Sequence, residues 1–274
     1  MAVNFNGDGD YLNCGTGVSC PSVITISAWV AWGGKQNYNT IIAKRNSWGS
    51  DEWQVWTGTS GSGNAGKIAM GYSGGFWYTN YVFTQDEITH VVAIIRDDDG
   101  VDELWINGAQ QGIATIAKIG SATTAVVNVG ANQNGNESWD GYINEVAVWD
   151  IALTAGEISL LFNSKLKRMP LQIQPANLKL YLPMDDHPEG AGINTAVFRD
   201  LSGNGNDGTG VDADGDSTIE SETVLSYPQD IGYVDAIAAV TTKIKKVSGV
   251  AYANIKKIAG VAIDKVKKVS GVEN

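Results

Sequence analysis

The chain has 274 residues, of which 43% are hydrophobic, and a formal net charge of −11. This hydrophobic content suffices for a buried core, which excludes global disorder, and no apolar run reaches the length of a transmembrane helix. Residues 242–274 carry eight lysines and two acidic residues, so this segment is +6 and the rest is −17. The acidic body argues against nucleic-acid binding by the main domain.

Residues 1–150 have the alternating pattern of antiparallel β-strands. In VITISAWVAW (23–32), Ile24, Ile26, Ala28 and Val30 fall on one face. Further strands are predicted at 39–44, 52–57, 67–72, 90–96, 103–106, 126–129 and 143–149. Turn signals such as SGSGNAG, DDDG and NQNGN separate them. This spacing is typical of an antiparallel sandwich or jelly roll.

One short helix is predicted at LTAGEISLLFNSKL (153–166). Thr154 is the expected N-cap, and Glu157, three residues later, completes a capping box. Leu153, Leu160 and Leu161 are expected to face the sheet.

Four segments follow one another at a characteristic spacing: FNGDGDYL (5–12), ITISAWV (24–30), ITHVVAIIRDDDGVDELWINGAQ (88–110) and DGYINEVAVWDIALTAGEISLLF (140–162). Together they resemble laminin-G-like jelly-roll domains of the concanavalin A-like lectin/glucanase superfamily. The resemblance implies an all-β fold, in which two antiparallel sheets form a curved sandwich with one short helix. Many relatives bind glycans or protein partners, often with calcium, and some in the wider superfamily are glycoside hydrolases.

The chain is predicted to have three parts: a sandwich at 1–167, a strand- and loop-rich appendage at 168–240, and a lysine-rich tail at 241–274. The appendage contains VFRDLSGNGNDGTG (197–210), which resembles a stretch that often opens another laminin-G-like domain. Too few residues follow for a second sandwich, so the segment is expected to add strands to the first.

The tail repeats every eleven residues: IKKVSGVAYAN, IKKIAGVAIDK, VKKVSGVEN. Such a period also fits a right-handed helical supercoil, but the glycine within each repeat lowers helix propensity by about 1 kcal/mol. Strand–turn–strand repeats are therefore preferred, and a helix stays open. The repeats predict an assembly element, because such a short segment cannot bury its apolar positions alone. Those positions are Ile244, Val247, Val250, Ile255, Ile258, Val261, Val266, Val269 and Val272.

No arrangement of catalytic residues stands out. Hydrolases of this superfamily place carboxylates at alternate positions of one strand, about 5 Å apart, and the Glu-x-Asp-x-x-Glu pattern is absent from the sequence. The acidic run at 97–103 is interpreted as a solvated hairpin turn. His90 falls where the family has a structural histidine, and His187 has no nucleophile motif nearby. The sequence therefore predicts no catalytic residue and a protein that is not an enzyme.

Two structural calcium sites are hypothesised. In VDADGDSTIE, Asp212, Asp214 and Asp216 stand at alternate positions, which offers the carboxylate oxygens that a hard cation needs. A merely solvated acidic loop is the alternative. The second candidate joins Asp8 and Asp10 to Asp140, because the first and last strands often lie together in this fold.

Carbohydrate binding is assigned to aromatic side chains that could stack on sugar rings: Trp48, Trp77, Tyr78 and Tyr81. They lie in or beside polar, glycine-rich segments, where an exposed platform can form. Packing at the rim between the sheets is the alternative. Cys14 and Cys20 are close enough in sequence for a small disulfide loop, and two reduced thiols are the other interpretation.

The predicted function is non-catalytic binding and assembly, in a phage or virus particle component that displays a lectin-like domain. The expected partners follow from the tail and the fold: further copies or other particle subunits, and surface glycans; neither nucleic acid nor membrane insertion is expected. Residues 1–12 lack signal-peptide features, so release by lysis and a virion or extracellular location are expected. A glycan-binding cell-surface adhesin is the alternative, followed by a glycoside hydrolase or lyase.

Overall fold

A computed structural model describes residues 1–97, 100–115, 118–120, 124–164, 168–212 and 214–220, and in the tail 246–247, 250–251, 257–258 and 261–262. The chain divides into two compact units, Met1–Tyr227 and Pro228–Asn274. None of the helices in these ranges is long and apolar enough to cross a membrane.

The first unit is a sandwich of two antiparallel sheets, which confirms the predicted all-β jelly-roll class. Its strands are β1 (Ala2–Asn6), β2 (Tyr11–Asn13), β3 (Val23–Trp32), β4 (Asn39–Ser47), β5 (Ser50–Thr57), β6 (Lys67–Tyr72), β7 (Gly75–Val82), β8 (Ile88–Arg96), β9 (Asp102–Ile106), β10 (Ala109–Ala114), β11 (Val127–Val129), β12 (Asp140–Trp149), β13 (Leu178–Leu182), β14 (Val197–Phe198), β15 (Gly208–Val211) and β16 (Thr218–Glu220).

The first sheet has the order β10-β9-β8-β3-β12-β1-β16, with β13 also paired to β12. The second sheet has the order β14-β15-β2-β11-β4-β5-β6-β7. Strands from residues 178–220 thus extend both sheets, through β13 and β16 in one and β14 and β15 in the other. Alternate residues of both sheets point inward, as in Ile24 and Ile26 from the first and Val55 and Ile68 from the second, and form the main core.

One α-helix, α1 (Ala155–Ser164), follows β12. The predicted capping box forms: the backbone N–H of Glu157 donates to Thr154 Oγ1 at 3.3 Å, and the backbone N–H of Thr154 donates to Glu157 Oε2 at 2.8 Å. Ile158 and Leu161 are buried against the outer face of the first sheet. Leu160 is 53% exposed, so its predicted contact with the sheet is wrong. The i, i+3 spacing of Ile158 and Leu161 defines the buried stripe instead.

Three short 3-10 helices complete the first unit in the loops, at Ser60–Ser62, Gln133–Gly135 and Met169–Gln172. Cys14 and Cys20 are both buried and form no disulfide, so the reduced-thiol interpretation describes the structure. Burial raises the pKa of Cys20 to about 12. Neither thiol therefore has the exposed, thiolate character of a reactive cysteine.

The described residues of the second unit form four two-residue strands: β17 (Lys246–Val247), β18 (Val250–Ala251), β19 (Lys257–Ile258) and β20 (Val261–Ala262). β17 pairs with β18 and β19 with β20, both antiparallel, with Val247 opposite Val250 and Ile258 opposite Val261. The strand–turn–strand interpretation of the whole repeat stays a prediction. Five positions of the predicted assembly set lie outside the described residues: Ile244, Ile255, Val266, Val269 and Val272.

Candidate functional site

The outer face of the second sheet carries a row of polar and aromatic side chains. The register aligns Asn128, Ala43, Gln54, Gly71 and Phe76 across five neighbouring strands, from β11 to β7. The residues that flank this row along each strand, such as Val55 and Met70, belong to the core. Because successive side chains of a strand point to opposite faces, the row faces away from the core.

Aromatic side chains from adjacent strands form a cluster on this face. Trp56 on β5 and Tyr78 on β7 flank Ala69 in the next row, and Phe76 lies beside them. The ring centroids of Phe76 and Tyr78 are 5.6 Å apart at 89°, and those of Trp56 and Tyr78 are 6.3 Å apart at 68°. These edge-to-face contacts are the preferred geometry of aromatic pairs, so the cluster forms a fixed wall.

Trp48 stands over this cluster at the tip of the β4–β5 hairpin. The turn is closed by Gly49, whose φ of +87° is readily adopted by glycine. The Trp48 ring centroid lies 5.8 Å from that of Phe76 at 72°, yet Trp48 remains 54% exposed. It therefore offers a free aromatic surface at the rim of the cluster.

An ion pair forms the other wall. Nη1 of Arg45 donates to Glu137 Oε2 and to Gln54 Oε1, both at 3.1 Å. The guanidinium carbon also lies 5.2 Å from the centroid of the Trp48 ring, a cation–π distance. Arg45 stands two residues after Ala43 on β4 and so shares its outward face. Lys44 points inward instead, with its Nζ 2.7 Å from Oε2 of Glu52.

The loop between β11 and β12 holds Glu137 in place. The backbone N–H of Thr40 donates to the carbonyl oxygen of Glu137 at 2.8 Å, and Nδ2 of Asn128 donates to the carbonyl of Asn132 at 2.8 Å. Glu137 has a φ of +51°, a left-handed conformation that costs a residue with a β-carbon free energy. Such strained positions cluster at functional sites.

Together these groups line an open pocket of about 260 Å³. The lining side chains are Tyr38, Arg45, Trp48, Trp56, Phe76, Tyr78 and Glu137. Burial raises the pKa of Tyr78, so its hydroxyl stays protonated and can donate a hydrogen bond. The pocket thus combines apolar rings with one cation, one carboxylate and phenolic hydroxyls, which is suited to a ligand with both apolar and hydroxyl surfaces.

Two of the four predicted sugar-binding aromatics, Trp48 and Tyr78, line this pocket. Trp77 and Tyr81 do not, because they lie on the opposite face of β7 and pack against the main core. A β-carbon at Gly112 of β10 would come within 2.8 Å of the Trp77 ring, so this indole bridges the two sheets at their edge. The structure therefore places Trp77 and Tyr81 outside the pocket, in the position that the rim-packing alternative expects, and their stacking role stays an untested prediction.

A second group of polar residues lies where β1 and β2 meet β15 and β16. One carboxylate oxygen from each of Asp10, Asp212, Asp214 and Asp216 lies within 4.8 Å of the others. Asp10 and Asp212 are buried, whereas the other two are exposed. The pairing of β15 with β2 and of β16 with β1 brings the loop that joins them to Asp10.

Hydrogen bonds orient these carboxylates. The Ser217 hydroxyl donates to Asp10 Oδ2 at 2.5 Å, the backbone N–H of Gly215 to Asp212 Oδ1 at 2.7 Å, and Asn6 Nδ2 to Asp214 Oδ2 at 3.0 Å. The pKa of Asp216 is raised, first by its hydrogen bond with Asp214 and then by burial and the Asp214 charge. An all-oxygen set of this kind has the chemistry that Ca²⁺ prefers.

The second predicted calcium site does not assemble as proposed. Of its three residues, Asp10 joins the group around Asp212, and within the described part of the chain Asp8 and Asp140 belong to no such group. Asp140 lies near Lys35, whose charge lowers the Asp140 pKa while burial, the larger effect, raises it. β12 and β16 flank β1 on opposite sides. Asp140 begins β12, whereas Asp10 accepts a hydrogen bond from Ser217, which precedes β16.

A laminin-G family model, described as the concanavalin A-like lectin/glucanases superfamily, matches residues 6–159, which is more than half of the chain. The chain belongs to this superfamily. The match covers the aromatic pocket and Asp10, whereas the loop with Asp212, Asp214 and Asp216 lies beyond it. No curated protein is similar enough in sequence to count as a relative.

Solved structures share the fold of this concanavalin A-like chain. A candidate carbohydrate-binding protein from Bacteroides ovatus aligns with a TM-score of 0.58 at 20% identity and covers 77% of the chain. The chain spans 58% of that protein's length. Domain 4 of a GH43 extracellular arabinanase from Geobacillus stearothermophilus, in complex with arabinotriose, aligns with a TM-score of 0.46 at 18% identity, over 59% of this chain and 76% of that one.

Sequence reasoning missed most of the pocket. Arg45 and Glu137 are far apart in the chain, and each lies one residue beyond a predicted element, the strand at 39–44 and the turn NQNGN at 132–136. Phe76 lay in a segment for which no strand was predicted, so its outward direction was not apparent. The signal that was available is the alternation of β5, where Val55 points to the core and its neighbours Gln54 and Trp56 point away from it.

Proposed function

We propose that this chain is a non-catalytic glycan-binding protein whose binding site is the aromatic pocket on the second sheet. The observation that carries the proposal is Trp48, a 54% exposed tryptophan held beside the Arg45–Glu137 pair. A sugar ring has an apolar C–H face that packs on an aromatic ring and hydroxyl groups that pair with charged groups. Membership of a superfamily that includes lectins supports the same function.

The composition of the pocket favours binding over hydrolysis. Glycoside hydrolysis requires two carboxyl groups, about 5 Å apart in retaining enzymes and about 6.5–9.5 Å apart in inverting enzymes. The residues that line the pocket include one carboxylate, Glu137, and it is paired with Arg45. Release of reducing sugar from a polysaccharide panel, abolished by Glu137→Gln, would overturn the non-catalytic assignment.

Retention of the full chain on immobilised polysaccharides tests glycan binding. We expect at least one polysaccharide to retain the protein. Trp48→Ala should reduce the free energy of binding to it by about 1–3 kcal/mol, the scale of burying such a side chain. Leu160→Ala is the matched control, because Leu160 is similarly exposed on α1. Equal retention of the two variants would place the binding surface elsewhere.

Calcium at Asp10, Asp212, Asp214 and Asp216 is proposed as a structural ion. Its role would be to join the β15–β16 loop to the start of β2, and it would perform no chemistry. The support is the oxygen-only set of four carboxylates, two of them buried. Burial of carboxylates is costly unless a positive charge compensates it.

The tail is proposed to assemble the protein into a larger particle, and a phage or virus component remains the biological setting that we favour. The support is the repeat itself: regular Val and Ile positions beside paired lysines, on a chain whose other residues carry a charge of −17. The same contacts between copies would give a symmetric oligomer or a filament. A gene neighbourhood without capsid or tail genes would argue for the adhesin alternative.

A further inference from the structure

The ion pair in the pocket wall leaves two polar groups available. Arg45 uses Nη1 for both of its hydrogen bonds, and Glu137 uses Oε2. Among the described residues, no partner is found for Nη2 of Arg45 or for Oε1 of Glu137. The pocket wall therefore presents a cationic donor next to an anionic acceptor.

This arrangement discriminates by charge. A carboxylate ligand would be attracted by Arg45 but repelled by Glu137, and an ammonium ligand would meet the opposite pair of forces. A hydroxyl group both donates and accepts. Two adjacent hydroxyls can therefore accept from Nη2 and donate to Oε1 without an unbalanced charge. The negative charge of the rest of the chain adds to the penalty for an anion.

The size of the pocket sets the extent of the ligand. Its volume of about 260 Å³ is below the range of about 300–1,000 Å³ that holds drug-sized ligands. One sugar ring fits such a space. Trp48 at the rim then offers a surface for the C–H face of that ring, while Phe76 and Tyr78 close the inner wall.

We propose that the pocket recognises a single neutral sugar ring, with two adjacent hydroxyl groups between Arg45 and Glu137 and the apolar ring face on Trp48. This assignment rests on the proposed glycan binding and specifies its ligand class.

The test compares charged and neutral probes on the full chain by titration of tryptophan fluorescence. The probes are the methyl glycosides of glucose, galactose and mannose, their 2- and 3-deoxy derivatives, glucuronic acid, N-acetylneuraminic acid, and choline. We expect a neutral glycoside to bind most tightly. Removal of one hydroxyl of the adjacent pair should weaken binding by about tenfold, the loss of one charge-assisted hydrogen bond. The deoxy sugars need no variant, so this result does not depend on folding.

Glu137→Gln supplies the second arm, with Glu189→Gln as the matched control on an exposed loop. Loss of the carboxylate should weaken binding of the neutral glycoside and strengthen binding of glucuronic acid. The ratio of their two affinities should then shift by about tenfold or more. An unchanged ratio would overturn the assignment, as would tighter binding of an acidic sugar or of choline by the natural protein. Retention on a polysaccharide without binding of any single glycoside would also overturn it and leave glycan binding standing. If the protein binds neither the polysaccharides nor the glycosides, glycan binding itself is rejected.

Discussion

Trp48 and Trp77 illustrate how neighbouring aromatics on one sheet acquire opposite roles. Trp48 stands at a hairpin tip with one side free, whereas Trp77 points into the space between the sheets and covers Gly112. The difference is set by strand alternation, since Phe76 and Tyr78 on either side of Trp77 face outward. An aromatic residue in a glycine-rich segment is therefore a sugar-binding candidate only after its side of the strand is known.

Substitution of these two tryptophans by alanine should separate binding from stability. We expect Trp77→Ala to lower the free energy of unfolding by about 2–4 kcal/mol, because it opens a cavity at a half-buried core position. Trp48→Ala should change it by less than about 1 kcal/mol, since the ring is half exposed. Urea denaturation curves of the two variants give both values. Equal losses of stability would contradict the placement of Trp77.

His90 is buried in the first sheet, where its Nε2 lies 2.9 Å from the Ser27 hydroxyl and its ring stacks near Trp29 and Phe162. Burial lowers the pKa of His90 to about 3. In the unfolded chain the ordinary value is about 6.5. Between these two values the unfolded state binds a proton that the folded state does not.

Stability should therefore be lost as the pH falls below about 6.5 and continue to fall toward 3, by about 1.4 kcal/mol per pH unit from this residue alone. Above about pH 6.5 the imidazole is neutral in both the folded and the unfolded state, so stability no longer depends on pH through His90. His90→Gln should remove this part of the slope, whatever its effect at neutral pH. Chemical denaturation at several pH values between 7 and 4 measures both slopes, and identical slopes would contradict a neutral buried imidazole.

At the scale of elements, the group around Asp10 joins segments from opposite ends of the first unit. An ion that binds only the folded state stabilises it by about 2.7 kcal/mol at one hundred times its dissociation constant. We expect the melting temperature to rise between EDTA and millimolar calcium. Asp214→Asn should remove the response with little effect in EDTA, because Asp214 is exposed. The control Glu189→Gln should keep the response to calcium. A melting temperature of the natural protein that is the same in EDTA and in calcium would refute the site.

Elements with a strong local pattern were predictable from sequence. β6 has the predicted bounds, and α1 has the predicted cap at Thr154. β7 was missed, although FWYTNYV is rich in residues that favour strands, because the flanking glycines indicated a loop. β10 was missed as well; it is an edge strand whose polar residues and bulge near Gln110 obscure the alternation.

The pocket and the acidic group depend on contacts between distant segments, which explains the limits of prediction there. Arg45 and Glu137 meet only because β4 and the loop before β12 lie side by side in the second sheet. Asp10 meets Asp212 only because β15 pairs with β2. The local spacing of Asp212, Asp214 and Asp216 was visible in the sequence. Asp10 could be added to them only once the pairing of β15 with β2 was known.

At the scale of the whole molecule, assembly is expected to depend on the second unit. Deletion of residues 242–274 should leave a folded monomer, because every described strand of the sandwich lies within residues 2–220, while the full chain forms an oligomer. Light scattering measures both masses. Val250→Ser with Val261→Ser preserves length and charge and should also weaken assembly if apolar burial drives it. A truncated protein that keeps the full-chain mass would show that the tail is not the assembly element.

The position of β1 between β12 and β16 has a consequence for synthesis. β1 pairs with residues 140–143 and 218–220, both of which are synthesised long after it. At about 5–20 residues per second, translation to residue 220 takes roughly 10–45 seconds. Val3 lacks its β12 neighbour until residues 140–143 emerge and its β16 neighbour until residues 218–220 emerge. The nascent chain therefore carries unpaired apolar residues on β1 for much of its synthesis, and this strand is one that a chaperone would have to protect.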